Sequence, residues 1–186
     1  MRVYDFDQTI YAGDSTRDFY FYCLRHYPKI LICLPKQCWH FLLYMLGFCS
    51  KTVFKEHFYR FLTKLPDTEK VAQDFWDNHM SGIKDWYLKD IRGDDVVISA
   101  SPFFLLKIPC ARLGIMPPIA SLVDPKTGKY TGENCYGTEK PSRFRAIYSD
   151  DEISEFYSDS LSDTPMAVFA KKSFLVQGNV LSPWPK

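Results

Sequence analysis

The rhythm of apolar and polar positions changes twice along this chain. Arg2 to Phe6 has the character of a short strand that runs out into acidic residues. From about Ser15 to Asp90 no strand pattern appears. The spacing there predicts helices over 15–27, 36–48, 52–63, 68–79 and 82–90, punctuated by Pro28, Pro35, Gly47 and Leu65-Pro66. Asp67 stands where the fourth of these helices needs an N-cap. Beyond Asp90 β-branched runs of strand length return. Asp95 to Ser99 predicts a strand, and Ser101-Pro102 predicts the cap and first position of a helix. Pro109 is expected to kink or split that helix, and Gly114 to end it. Ile119 to Val123 reads as a strand, and 124–132, with Lys126-Thr127-Gly128-Lys129, as a hairpin turn. A helix over 138–148, a strand over 153–157, a helix from Thr164-Pro165 to about Ala170 and a strand over 174–176 complete the pattern. The tail through Pro183 and Pro185 is expected to be irregular.

Strands that alternate with helices imply a parallel sheet covered on both faces. The helical block interrupts that alternation directly after the first strand. The expected organisation is therefore an α/β core domain built from 1–14 and 91–186, with a helical cap domain over 15–90.

Composition narrows the function classes. The chain has 186 residues, 46% of them hydrophobic, which suffices for one real core. The formal net charge is +1 and no long basic run occurs, so no nucleic-acid partner is expected. The 6 cysteines form no CxxC pair and have no histidine cluster beside them. They read as small core residues in a reducing compartment, not as metal ligands, and imply a cytoplasmic location. The opening MRVYDF reads directly as strand, so no signal peptide is expected. The most apolar stretch, 30–49, contains Pro35, Lys36, Gln37 and His40, which argues against a bilayer span. It is expected to be a buried helix pair; the sharper alternative is an apolar surface that meets lipid or an apolar substrate. The aromatic residues Phe19, Tyr20, Tyr22, Trp39, Phe54 and Phe58 read as core, or alternatively as the wall of an apolar pocket.

Four short signals carry chemistry, each at a strand end or helix start, the edge of an open parallel sheet where ligands bind. Asp5-Phe6-Asp7-Gln8-Thr9 places two carboxylates two residues apart, on one side of an extended chain. Carboxylates so close repel unless a cation or a shared proton lies between them. Ser99 ends the Val96-Val97-Ile98 run, where a hydroxyl and backbone N–H groups suit a phosphate oxygen; the plainer alternative is an ordinary cap. Lys140 falls in the first turn of a helix that Thr138 would cap; the plainer alternative is a solvated surface lysine. Asp159-Ser160-Leu161-Ser162-Asp163 brings two more carboxylates to the same edge, with Asp163 or Thr164 also able to cap a helix. Four acids in one crevice suit a hard cation such as Mg²⁺ together with bound phosphate.

The DxDxT of 5–9, the serine of VVIS at 96–99, Lys140 and the DSLSD of 159–163 resemble, in order and spacing, the haloacid dehalogenase superfamily, in particular its phosphoserine-phosphatase-like branch. The resemblance covers almost the whole chain. It implies a Rossmann-like three-layer α/β/α core with a cap inserted after the first strand, and a phosphatase acting on a small phosphomonoester. By resemblance Asp5 is the nucleophile and Asp7 the general acid and base. Ser99 and Lys140 hold phosphate, and Asp5, the backbone carbonyl of Asp7 and Asp159 bind Mg²⁺. Asp163 orients a metal-bound water or Lys140. Many relatives carry glycine where this chain has Ser158. In the phosphoserine phosphatases a glutamate at the place of Asp14 meets the substrate's amino group, and a cap arginine meets its carboxylate. Asp14, Lys55 and Arg60 are the corresponding specificity candidates here. A lipid-phosphate phosphatase docking through its apolar cap, a catalytically idle binding module and transfer to an acceptor other than water are the alternatives.

Overall fold

A computed structural model describes residues 1–148 and 152–185. Six strands form one sheet: β1 (Arg2–Tyr4), β2 (Val96–Pro102), β3 (Ile119–Ser121), β4 (Ile153–Ser158), β5 (Ala170–Gln177) and β6 (Val180–Pro183). Their order is β3-β2-β1-β4-β5-β6, parallel throughout except for the β5–β6 hairpin. The tail expected to be irregular is therefore an edge strand, its backbone recruited by β5 across a turn at Gly178. Chain order runs outward from β1 through β2 to β3, then jumps back to β4 on the other side of β1. The carboxyl ends of β1 and β4 thus flank a topological switch point, where an open α/β sheet leaves a crevice.

Alternation along the strands explains the layers. Val3, Val96, Ile98 and Phe156 face one side and pack with Phe144 of α7 (Glu139–Ile147) and Met166 of α8 (Thr164–Ala167). Tyr4, Val97 and Tyr157 face the other side. They join a larger core that includes Leu105 and Leu106 of α6 (Phe103–Leu113) and the helical block.

That block contains α1 (Ser15–His26), α2 (Leu34–Met45), α3 (Lys51–Tyr59), α4 (Thr68–His79) and the short α5 (Asp85–Leu88), joined by 3₁₀ turns. Asp67 does cap α4, accepting from the Lys70 N–H at 3.1 Å. The helix expected over 82–90 is only a 3₁₀ turn and α5. Phe75 and Trp76 of α4 pack with Phe6, Tyr11 and Phe19 without a break, so the block shares its core with the sheet. At its far end it meets the hairpin turn of 124–130, where Gly128 has φ +73° and a Cβ would lie 2.4 Å from the Tyr59 carbonyl oxygen.

One expectation about α6, that Pro109 kinks or splits it, is narrowed, and one is corrected. Pro109 does not split it, because the carbonyl its ring deprives of a donor, that of Leu105, accepts instead from the Trp76 indole N–H at 2.8 Å. Ser101-Pro102 does not cap it either: both residues belong to β2, and the helix begins at Phe103 with no side-chain cap. The register of β2 against β3 shifts between Ser99 and Pro102, and that bulge turns the Ser101 hydroxyl elsewhere.

Candidate active site

Asp5 follows the last residue of β1 and donates its N–H to Tyr157 O at 2.8 Å, which continues the β1–β4 pairing one step past Tyr4. The next residues leave the sheet in a tight loop: Ile10 and Tyr11 N–H both bond Phe6 O, and Gln8 has φ 58°. Thr9 is fully buried, and its hydroxyl oxygen accepts from the Asp159 N–H at 3.0 Å, tying the β1 loop to the loop after β4.

Lys140 lies in the first turn of α7, but it is no surface residue; it is 2% exposed. Its ammonium donates to Asp5 Oδ1 at 2.7 Å and to Asp163 Oδ2 at 2.6 Å. Ser158 Oγ also donates to Asp163 Oδ2, at 2.7 Å, so the serine where many relatives have glycine holds an acid in place. The contact to Lys140 is one of the two expected for Asp163. Ser99 is buried at the end of the β-branched run, and its Oγ accepts from the Ser101 N–H at 3.1 Å.

Asp7 is held differently. Its Oδ1 accepts from the Ser15 N–H at 2.6 Å and its Oδ2 from the Ser101 hydroxyl. Burial, then the charge of Asp14, push its carboxyl up, and those donors pull it down, leaving it at about 6. Asp5 is pushed up to about 7 by burial, opposed by Lys140 and assisted by Asp163 and Asp7. Asp159 is raised by burial and by Asp163. The contrast with the opposite end of the strands is instructive. There Asp95 is wholly buried yet bonded by the Arg2 guanidinium at 2.9 Å on both oxygens. At the upper edge Lys140 pairs with Asp5 and Asp163, and Asp7 and Asp159 have no ion pair among the described residues.

That surplus of carboxylate oxygen is the chemistry a hard divalent cation satisfies. Among the described residues no three His, Cys, Asp or Glu side chains form a ready cage. Carboxylate oxygens of the kind Asp5 and Asp159 offer at this edge are nonetheless the donors Mg²⁺ takes, alongside carbonyls and waters.

A cavity of about 530 Å³ opens beside Asp7 and Ser101. Its charged lining comprises Asp14, Arg17 and Lys55, and its apolar wall Tyr20, Phe21, Phe54 and Phe58. Asp14 both lines the cavity and caps α1, accepting from the Arg17 N–H at 2.8 Å. Lys55 reaches across from α3 to Ala100 O and Asn134 Oδ1, each at 3.3 Å. Arg60 is exposed and does not line the cavity; the arginine that does is Arg17. Of the aromatic residues singled out in the sequence, Tyr20, Phe54 and Phe58 form the wall, Phe19 is core, and Trp39 faces outward.

Sequence reasoning missed Ser101 and Lys84. Lys84 is buried and donates to Gln8 O and, at 2.6 Å, to Gly178 O, clamping the β1 loop onto the β5–β6 turn. Only its place before a short helix marks it in the sequence. Ser101 is aimed by a bulge that no periodicity announces.

A family model described as haloacid dehalogenase-like hydrolase matches residues 3–168. No curated protein matches the chain by sequence. Among solved structures, a protein of unknown function from Bordetella pertussis Tohama I is similar with a TM-score of 0.74 at 17% identity, covering 93% of this chain and 87% of that one. A phosphoserine phosphohydrolase-like protein from Francisella tularensis subsp. tularensis SCHU S4 gives 0.56 at 18% identity, covering 93% and 86%. A cytosolic 5'-nucleotidase bound to cytidine gives 0.56 at 13% identity, covering 91% and 68%. At these identities the likeness is one of fold.

Proposed function

Because this chain belongs to the haloacid dehalogenase-like hydrolase family, we propose that it is a Mg²⁺-dependent phosphatase that hydrolyses a phosphomonoester through an aspartyl phosphate on Asp5. The observation that carries this is the division of labour between two adjacent carboxyls. Asp5 lies against Lys140, and Asp7 is held by Ser15 and Ser101 at the cavity; burial raises both carboxyls, and a cation bound beside Asp5 would return it to its ionised form.

A carboxylate oxygen of Asp5 attacks phosphorus as the bond to the leaving oxygen breaks. Asp7, protonated in part near neutral pH, gives its proton to that leaving oxygen. It then takes a proton from the water that attacks the phosphorus and frees Asp5. Lys140 and Ser99 hold phosphoryl oxygens, and Asp163 and Ser158 hold Lys140 for that task. Asp5, the Asp7 carbonyl and Asp159 are the residues that would hold Mg²⁺, whose contribution when bound is to neutralise charge on the phosphoryl group. The core of 1–14 and 91–186 supplies these groups, and the cap of 15–90 supplies the cavity wall. An idle binding module has no use for a carboxyl poised like Asp7.

The charged lining, Asp14 with Arg17 and Lys55, favours a small phosphorylated metabolite carrying both signs of charge. A phosphoserine-like compound meets that description. A lipid phosphate is the second reading, favoured by the aromatic wall that faces Asp14. The test is hydrolysis of an aryl phosphate with Mg²⁺ and with excess chelator, for the wild type and Asp5→Asn. Turnover should require both Mg²⁺ and Asp5; equal rates with chelator, or an active Asp5→Asn protein, would overturn the reading.

A further inference from the structure

Helix α2 has its polarity reversed. The one buried side chain it offers is polar: Gln37 accepts from the Tyr20 hydroxyl at 2.7 Å and donates to Phe58 O at 2.8 Å. Positions 35, 38, 39, 42, 45 and 46, the spacing of one helical face, are all exposed. They are Pro35, Cys38, Trp39, Leu42, Met45 and Leu46, without a charge among them. Trp39 is 58% and Met45 65% exposed, and Ile32 and Phe48 at either end exceed 70%. Among the described residues, about half of the exposed large apolar side chains fall between Phe21 and Val53. A patch of this extent marks a surface that meets something. The expectation of a buried helix pair over 30–49 is thus corrected, and the alternative of an apolar surface is the one present.

Charge identifies the occupant. Between Phe21 and Lys64 the only acidic residue is Glu56, against seven lysines and arginines, while the rest of the chain is net acidic. Arg25, Lys29 and Lys36 are exposed beside the apolar face. A second copy of this chain would bring the same positive rim against itself. An apolar face with a cationic rim and an outward tryptophan is what a helix lying in an anionic bilayer surface presents. At about 18 Å, α2 is too short for a hydrocarbon core of about 30 Å, and no helix among the described residues is long and apolar enough to cross a membrane. The wall of the cavity also packs against α2. Phe54 lines it and packs on Phe41 and Tyr44 of α2, and Phe21 lines it while 58% exposed.

We infer that the outward face of α2 docks the protein on an anionic membrane surface. Docking does not depend on the phosphatase reading, and its test needs no turnover. The full chain is floated with vesicles of phosphatidylcholine alone and with about 30% phosphatidylglycerol, the anionic lipid supplying the surface potential. Binding should be confined to the anionic vesicles, weaken with added salt and shift Trp39 emission to the blue. Trp39→Gln with Met45→Gln should weaken binding at least about tenfold, an apolar loss of the size buried aromatic area gives, with an unchanged melting temperature. Should that variant misfold, Lys29→Glu with Lys36→Glu, which spares the helix face, is expected to lose anionic binding equally. Equal flotation with neutral vesicles, undiminished binding by both variants, or a dimer that Trp39→Gln dissociates would overturn the proposal.

Discussion

Single residues here derive their chemistry from what surrounds them, and Ser101 is the plainest case. Its hydroxyl donates to Asp7 Oδ2 and is one of the groups that lower the Asp7 pKa. Ser101→Ala removes a donor to the charged form, so the Asp7 carboxyl should rise from its value of about 6. The limb of the pH–rate profile that reports loss of the protonated acid should move up by about one to two units, the size of one hydrogen bond to a charge. An unmoved limb would mean that another group sets it. Asp5→Asn belongs to the same scale. It removes the proposed nucleophile and barely changes volume, so turnover should vanish while the fold remains. Lys140 keeps Asp163 and an amide oxygen as acceptors. The acids themselves were legible in the sequence because their spacing is local. Ser101 was not, since its role follows from a bulge in β2, and Arg60 gave way to Arg17 because a helix spacing does not tell which side a cavity opens on.

At the scale of elements, most boundaries followed from punctuation: Asp67 before α4, Gly114 after α6, Thr164-Pro165 at α8. The failures are places where a distant partner overrides a local rule. Pro109 sits inside α6 because Trp76 takes over the orphaned Leu105 carbonyl, and β6 forms because β5 offers an edge. The first of these can be measured. Trp76→Phe leaves that carbonyl buried without a donor and should cost about 2 kcal/mol or more, cavity included. In a Pro109→Ala background the new backbone N–H can serve Leu105, so the same substitution should cost about 1 kcal/mol less. Strict additivity in chemical denaturation would disconnect the indole from the proline. Gly128 tests the junction of the helical block with the 124–130 hairpin. Its φ of +73° and the 2.4 Å approach of a Cβ to Tyr59 O leave no room for a side chain. Gly128→Ala should therefore destabilise by about 2 kcal/mol or more.

For the whole molecule, the sheet order dictates the rest: the switch between β1 and β4 gathers acids that lie 154 residues apart, the buried Asp5 and the half-buried Asp159. The alternation of strands and helices made that gathering readable, whereas the reversed face of α2 was not, because a run of apolar residues reads the same whether it is covered or bare. The gathering has a thermodynamic consequence. Asp5 at about 7, Asp7 at about 6 and a raised Asp159 all bind protons more tightly folded than unfolded. Their contribution to stability is complete below the unfolded carboxyl value and is lost as pH rises through about 6 to 7. In chelator the melting temperature should accordingly fall between pH 5 and pH 8. Mg²⁺ competes with those protons, so it should raise the melting temperature more at pH 8 than at pH 5. At a hundredfold excess over its dissociation constant the gain is about 2.7 kcal/mol. Asp159→Asn removes one anionic ligand and should shrink the Mg²⁺-dependent gain at pH 8 while raising the melting temperature in chelator. Scanning calorimetry of both proteins with and without Mg²⁺ at the two pH values checks each sign. A Mg²⁺ effect that is equal at both pH values, or that survives intact in Asp159→Asn, would place the cation somewhere other than this crevice.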